Sequence, residues 1–331
     1  MKRALVCATL LLSADIQSAP NLSVSNLVYV KIPKTASTTT AGVVRRIAFH
    51  HRLSGFRGNN WIGKEPGVWA NHSPRSGLQD RIRKLRLPAV LVSMLRNPAE
   101  RCLSSYYHFR VSMHGTTPSD KAKLRAVKDC SDVQFKYLRR SNETDSVQAV
   151  FRDYNFLGVA HRYEESALML ARACGAADAD ALYLNAKVAD GRPAAFSFLS
   201  YNFTTHPPLS EEPAEVKAYV ASDAFRRANA RDLELLRLAE KRIAAWAAQP
   251  DSVKALRRFE AMQARVVMTC DPGDFCSATP HNERVLAKAA APASVVPPGR
   301  RLDQGCTDPR CFWGDNGCGY ECMDAVALNW E

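Results

Sequence analysis

Leu27-Val-Tyr-Val-Lys-Ile-Pro-Lys-Thr-Ala-Ser-Thr-Thr-Thr40 runs from apolar and β-branched residues, through Ile32-Pro33, into a cluster of small and hydroxylated ones. Val43, Val44, Ile47 and Ala48 then recur at helical spacing, so the segment reads as strand, turn, helix. Ser and Thr gather where the helix begins, as capping predicts. Backbone N–H groups at a helix start form an anion site, hydroxyls add donors without bulk, and Lys34 brings a mobile positive charge. A phosphate or sulfate group fits such a turn. The glycines of GxxxxGK[ST] are absent, so this is not a Walker A loop. Taken alone, the turn can also be read as a basic, Thr-rich helix cap that holds no ligand.

A second unit of the same kind follows. Ala89-Val-Leu-Val-Ser-Met-Leu95 is a strand run, Arg96-Asn-Pro98 the turn, and Ala99 to Arg110 an amphipathic helix with Pro98 at a natural first helical position. Arg96 leaves its strand just before that helix and Ser104 lies on it, so a guanidinium and a hydroxyl converge on a second phosphate. Two anion sites at adjacent strand ends suit a nucleotide phosphorylated at two positions. Asn155 to Ala160 reads as a third strand feeding the helix Glu164 to Cys174, and Ala181-Leu-Tyr-Leu184 as a fourth strand. This alternation implies an α/β fold with a doubly wound, mainly parallel sheet, flanking helices, and ligands at the carboxyl ends of the strands. Residues 51–80, rich in Gly, Asn, Pro and Arg, read as a long irregular excursion. Glu212 to Trp246 and Ser252 to Val267 read as helical, and Ala287 to Pro298 as a linker.

Composition sets the class of partner. The 331 residues are 46% hydrophobic and 24% charged, which excludes collagen, extensive disorder and a multispanning membrane protein. The net charge of +12 is uneven, since residues 1–140 hold 24 Lys and Arg against 7 Asp and Glu. An anionic partner for the N-terminal part follows from that excess. Lys2 and Arg3 before the apolar run Ala4 to Leu12 have the order of a secretory leader over residues 1–19. The run is short for a membrane span, so membrane association is expected only if the leader is retained as a short signal anchor. Asn21, Asn71, Asn142 and Asn202 head glycosylation sequons. Six of ten cysteines fall between Cys270 and Cys322, amid Gly, Asp, Asn and Pro, as in a disulfide-stapled tail. A zinc knuckle is the rival reading, but no CxxC pair is present. With Cys7 in the leader, nine cysteines remain, so one thiol is expected to be free or paired between chains, with Cys102 the candidate.

These motifs resemble a known family. Val30-Lys-Ile-Pro-Lys-Thr-Ala-Ser-Thr-Thr39 is similar to the 5′-phosphosulfate-binding loop of Golgi carbohydrate sulfotransferases, and Leu95-Arg-Asn-Pro-Ala-Glu-Arg-Cys-Leu-Ser-Ser-Tyr-Tyr107 to their 3′-phosphate-binding element. The nearest likeness is to the heparan sulfate 2-O-sulfotransferase and galactose 3-O-sulfotransferase groups. Asn155-Phe-Leu-Gly-Val-Ala-His-Arg-Tyr-Glu-Glu-Ser166 resembles their later strand-helix segment. The resemblance covers about residues 27–185 and has no counterpart for the cysteine-rich tail. It implies a P-loop-like domain, taken as residues 20–286, while composition and cysteine spacing set residues 287–331 apart as a linker and disulfide-rich tail. The implied co-substrate is 3′-phosphoadenosine 5′-phosphosulfate (PAPS), with no metal. Thr35, Ala36, Ser37, Thr38 and Thr39 would cradle the 5′-phosphosulfate, Arg96 and Ser104 would hold the 3′-phosphate, and Lys34 would stabilise the leaving group.

An acceptor hydroxyl attacking in line must lose its proton, which calls for a general base. Trp69-Ala-Asn-His72-Ser-Pro-Arg75 resembles the family's histidine-bearing segment, and His72 is the expected base. His108, four residues after Ser104 and so on its helical face, is the runner-up. His50 and His51 read as the exposed basic end of the first helix, and His161 stands where relatives often carry an acidic residue. Arg52, Arg57, Lys64, Arg75, Arg81, Arg83, Lys84 and Arg86 either line a groove for an anionic glycan or form a solvated face. The expectation is a sulfotransferase of the Golgi lumen or secreted space acting on a glycan hydroxyl, with no nucleic-acid partner. The alternatives are a secreted nucleotide-dependent kinase, disfavoured by the missing Walker glycines, and a non-catalytic binder of anionic glycans.

Overall fold

The computed structural model describes residues 25–55, 65–85, 87–140, 145–184, 207–270 and 319–330. Four strands, β1 (Asn26–Val30), β2 (Val68–Asn71), β3 (Ala89–Leu95) and β4 (Phe156–Val159), form one sheet in the order β2-β1-β3-β4. Every pairing is parallel, with Leu27 opposite Val68 and Val90, and Leu95 opposite Val159. Parallel neighbours need crossovers, and helices supply them. In chain order these are α1 (Ser37–His50), α2 (Arg75–Arg83), α3 (Pro98–Tyr106), α4 (Asp120–Lys128), α5 (Val133–Leu138) and α6 (Val147–Asp153), and α7 (Tyr163–Ala173) follows the last strand. Beyond the sheet come α8 (Ala214–Ala221), α9 (Asp223–Ala228), α10 (Ala230–Ala247), α11 (Pro250–Thr269) and α12 (Tyr320–Leu328).

Side chains alternate across the pleat and build a core on each face of the sheet. Leu27, Tyr29, Val90, Val92 and Phe156 pack with α1, α7, α11 and α12 on one face. Val28, Val30, Leu91, Leu95 and Leu157 pack with α2, α5, α6 and α10 on the other. The α/β class, the parallel sheet and its double winding are therefore as the alternating pattern implied. Gly158 allows the close fit of β4 on its neighbours, because a Cβ there would run into the Met94 sulfur and stand 3.0 Å from the Ser166 Cβ. The Ser166 hydroxyl accepts from the Val159 N–H at 2.9 Å and donates to the Val159 carbonyl at 3.0 Å, satisfying backbone at the sheet edge.

Four expectations need correction. The stretch 51–80 is not irregular throughout, since it contains β2 and the start of α2. The segment Ala181–Leu184 is not a strand. It follows a 3-10 turn, Asp178–Ala181, and the Gln263 amide takes the hydrogen bonds a strand partner would, accepting from the Tyr183 N–H at 3.1 Å and donating to its carbonyl at 2.8 Å. The helix over Ala99 to Arg110 is not uniform, because α3 passes into a π-helix at Tyr107–Ser112. Cys102 is not the odd thiol, since it is bonded to Cys130, and Cys270 is bonded to Cys322. Among the described residues the free cysteine is Cys174, a fully buried thiol that burial pushes up to about 12. The leader, the linker and Cys276, Cys306, Cys311 and Cys318 lie outside the described residues. Among those described, no helix is long and apolar enough to cross a membrane.

Candidate functional site

From β1 the chain passes through α1 to β2 on one side, then through α2 to β3 on the opposite side of β1. The strand order therefore reverses between β1 and β3, and open α/β sheets take ligands at the carboxyl ends of strands at such a point. The loop of residues 31–36, after β1, and Arg96, after β3, flank this crevice.

The backbone of the first loop is unusual. Lys34 and Ala36 adopt left-handed conformations, with φ of 69° and 58°, at a cost of roughly 1–2 kcal/mol each for residues bearing a Cβ. Such strain concentrates where a loop is shaped for a ligand. Between them Thr35 is fully buried, and its hydroxyl donates to the Ile32 carbonyl at 3.0 Å. That hydroxyl closes the turn from inside, so of the expected anion donors Thr35 offers its backbone N–H rather than its side chain. The residue at the helix N-cap is Ala36, which provides no side-chain acceptor, and the helical ladder opens with the Thr40 N–H bonded to the Ala36 carbonyl at 3.1 Å. The expected Ser/Thr cap is thus absent, although Ser37, Thr38 and Thr39 fill the first turn. Their N–H groups have no intrahelical acceptor and point out of the positive end of the helix dipole. By contrast, Asn97 closes the start of α3, accepting from the Ala99 N–H at 3.0 Å and the Glu100 N–H at 3.4 Å. Anion attraction at the second turn is left to side chains.

Arg96 is the first residue beyond β3. Its Nε donates to Glu100 Oε2 at 3.2 Å, and its Nη groups take no acceptor among the described residues. Ser104 is buried on α3. It lies four residues after Glu100 and therefore on the same helical face, which puts its hydroxyl on the side that carries the Arg96–Glu100 pair. The Arg96 backbone is gripped by Gln134, whose Oε1 accepts from the Arg96 N–H and whose Nε2 donates to its carbonyl, both at 2.8 Å. Asp232 holds Gln134 in turn, accepting the Gln134 N–H at 3.1 Å and the Phe135 N–H at 2.7 Å. Burial pushes the Asp232 carboxyl up to about 6 against these hydrogen bonds. Nothing in the residue pattern marked Gln134 or Asp232, since neither lies in either motif.

His72 follows β2 directly, and its Nδ1 donates to the Lys31 carbonyl at 2.8 Å. A carbonyl only accepts, so in the neutral ring the proton sits on Nδ1 and the lone pair on Nε2. His72 is thereby fixed to the loop that carries Lys34. Beyond Ser104 the helix passes into the π-turn that carries His108, with the Met113 N–H bonded to the His108 carbonyl at 3.1 Å. His161 meets Glu240 at 3.2 Å. His50 is not an exposed helix end, since it sits between Asp180 and Asp324. Burial opposes its charge, but the two hydrogen bonds and the Asp324 carboxylate outweigh that and hold it at about 9.

The basic set divides. Arg75 is buried, donating to Gln79 at 2.8 Å and facing Asp153 at 3.6 Å, so it supports the fold rather than a groove. Arg52, Arg81, Arg83 and Lys84 are exposed, with Arg81 stacked 5.2 Å from the Trp69 ring centre. Arg57, Lys64 and Arg86 lie outside the described residues. Compared with known proteins, the chain matches no family model and no curated sequence.

Proposed function

We propose that this chain transfers a sulfuryl group from PAPS to a hydroxyl of a carbohydrate acceptor. The fold is read as P-loop-like over residues 20–286, with residues 1–19 as a leader and residues 287–331 as a cysteine-rich extension. The observation that carries this reading is that the left-handed, uncapped start of α1 stands at the sheet's switch point with His72 hydrogen-bonded to the same loop. The N–H groups of Thr35 to Thr39 cradle the 5′-phosphosulfate, and the Arg96 Nη groups with the Ser104 hydroxyl take the 3′-phosphate. In the transfer, the acceptor oxygen forms its bond to sulfur as the bond from sulfur to the 5′-phosphate oxygen breaks. The acceptor proton goes to His72 Nε2. Lys34 and the helix N–H groups stabilise the charge that collects on the departing phosphate, and this residue set calls on no metal. The exposed cations Arg52, Arg81, Arg83 and Lys84 suit an anionic glycan. The two disulfides fit an oxidising compartment, either the Golgi lumen or the secreted space.

The test is thermal stabilisation by 3′-phosphoadenosine 5′-phosphate, ATP and heparin, each against wild type and Arg96→Ala. A ligand of the native state raises the melting temperature by mass action. A rise with the bisphosphate that Arg96→Ala reduces supports the proposal. A rise with ATP alone favours a kinase, and a rise with heparin alone favours a non-catalytic glycan binder.

A further inference from the structure

We infer that Gln134 is a positioning residue for the 3′-phosphate clamp, and that through it the start of α10 sets where Arg96 stands; this rests on the sulfotransferase reading above. Arg96 lies one residue past the last paired position of β3, where ladder hydrogen bonding stops. A backbone amide and carbonyl at that point need partners. Gln134 supplies both from one fully buried primary amide, at 2.8 Å to the N–H and 2.8 Å to the carbonyl. Two bonds to the same residue fix the orientation of its peptide planes, and with them the direction in which the Arg96 side chain departs.

The amide is held as firmly as it holds. Asp232, itself buried, accepts the Gln134 N–H at 3.1 Å and also faces Nε2 at 3.4 Å. Asp132 returns the arrangement, accepting the Arg231 N–H at 3.0 Å and the Asp232 N–H at 3.1 Å, so α5 and α10 cap one another. The chain of contacts therefore runs from the N-terminus of α10 through Asp232 and Gln134 to the backbone of Arg96. A guanidinium clasping phosphate with paired Nη groups tolerates little misplacement. Losing the grip at its backbone should weaken the 3′-phosphate contact specifically, without touching the 5′ end of the nucleotide.

The molecule contains its own control. Gln263 grips the backbone of Tyr183 with the same two-ended geometry, at 3.1 Å and 2.8 Å, on the opposite face of the sheet. Gln134→Met and Gln263→Met thus remove equivalent hydrogen bonds in two places, only one of which adjoins the clamp. The experiment measures dissociation constants for adenosine 3′,5′-bisphosphate and adenosine 5′-monophosphate by calorimetry, with melting temperatures alongside. Gln134→Met should weaken the bisphosphate about tenfold, or about 1.4 kcal/mol, and the monophosphate less than about twofold. Gln263→Met should lower the melting temperature comparably and change neither constant. Should Gln134→Met not fold, Asp232→Asn, which keeps the shape and removes the charge holding Gln134, is expected to shift the same ratio by about threefold. Equal weakening of both nucleotides in the folded variant, or an unchanged ratio, overturns the positioning role. A wild-type protein that does not prefer the bisphosphate overturns the sulfotransferase reading itself, and is seen without any variant.

Discussion

His72 Nδ1 donates to the carbonyl of Lys31, three residues before Lys34, at 2.8 Å. The bond spans two neighbouring strands at their carboxyl ends and fixes the imidazole tautomer with its lone pair on Nε2. It makes the proposed base and the proposed anion loop parts of one rigid edge.

Replacing His72 with Ala should therefore separate chemistry from binding. Turnover of labelled PAPS onto a glycan acceptor is expected to fall by about 10²–10⁴-fold, the usual contribution of a general base. Affinity for the bisphosphate should change little. Turnover that persists would transfer the role to His108.

Glu100 holds Arg96 by its Nε at 3.2 Å and places a partly exposed negative charge beside the proposed phosphate site. Glu100→Gln keeps a hydrogen-bond acceptor and removes the charge. Bisphosphate affinity should rise about two- to fivefold, in keeping with the modest worth of exposed charge pairs. Titration calorimetry at low salt reads the change, and a loss of affinity would mean that the carboxylate is needed to orient the guanidinium.

His50 sets a pH dependence of stability. Its pKa is raised from 6.5 unfolded to about 9 folded, so its contribution is complete below pH 6.5 and is lost as pH rises through about 9. The melting temperature should fall across that window, with other groups adding their own slopes. In His50→Gln the fall should be shallower, as followed by circular dichroism.

Gly158→Ala pushes a methyl group toward the Met94 sulfur and the Ser166 Cβ. Ser166 anchors the end of β4, so relaxation is restricted. Destabilisation of about 1–3 kcal/mol is expected, measured by denaturant unfolding. A neutral result would show that Met94 moves aside freely.

The parts of the fold that could be read in the sequence were those whose signal is local. β1, β3 and β4 are runs of buried apolar residues, and two of them end in turns that carry the candidate site. β2 is hidden because Val68-Trp-Ala-Asn71 is short, ends in a polar residue and lies in a Gly-, Asn- and Pro-rich stretch between Gly67 and His72. Ala181–Leu184 misled for the opposite reason, since it has a strand's composition but Gln263 stands in for its neighbour. Of the site, the residue types in the Lys34 loop were legible, yet the left-handed Ala36 and the inward hydroxyl of Thr35 depend on backbone angles that composition does not encode. Gln134 reaches Arg96 from 38 residues away, and the partner of Cys102 lies 28 residues on. Both links are made only by the packing of helices outside the motifs.

The Arg46 guanidinium, buried within α1, is met by Asp324, 278 residues downstream. A buried charge deprived of its partner costs about 3–5 kcal/mol. During synthesis, which proceeds from the N-terminus, the helix that opens the candidate site therefore lacks the carboxylate that meets Arg46 until α12 has emerged. The βα unit that carries the candidate loop thus gains its last ionic contact after every strand of the sheet has been made, and a chain cut before residue 320 should unfold at a lower denaturant concentration.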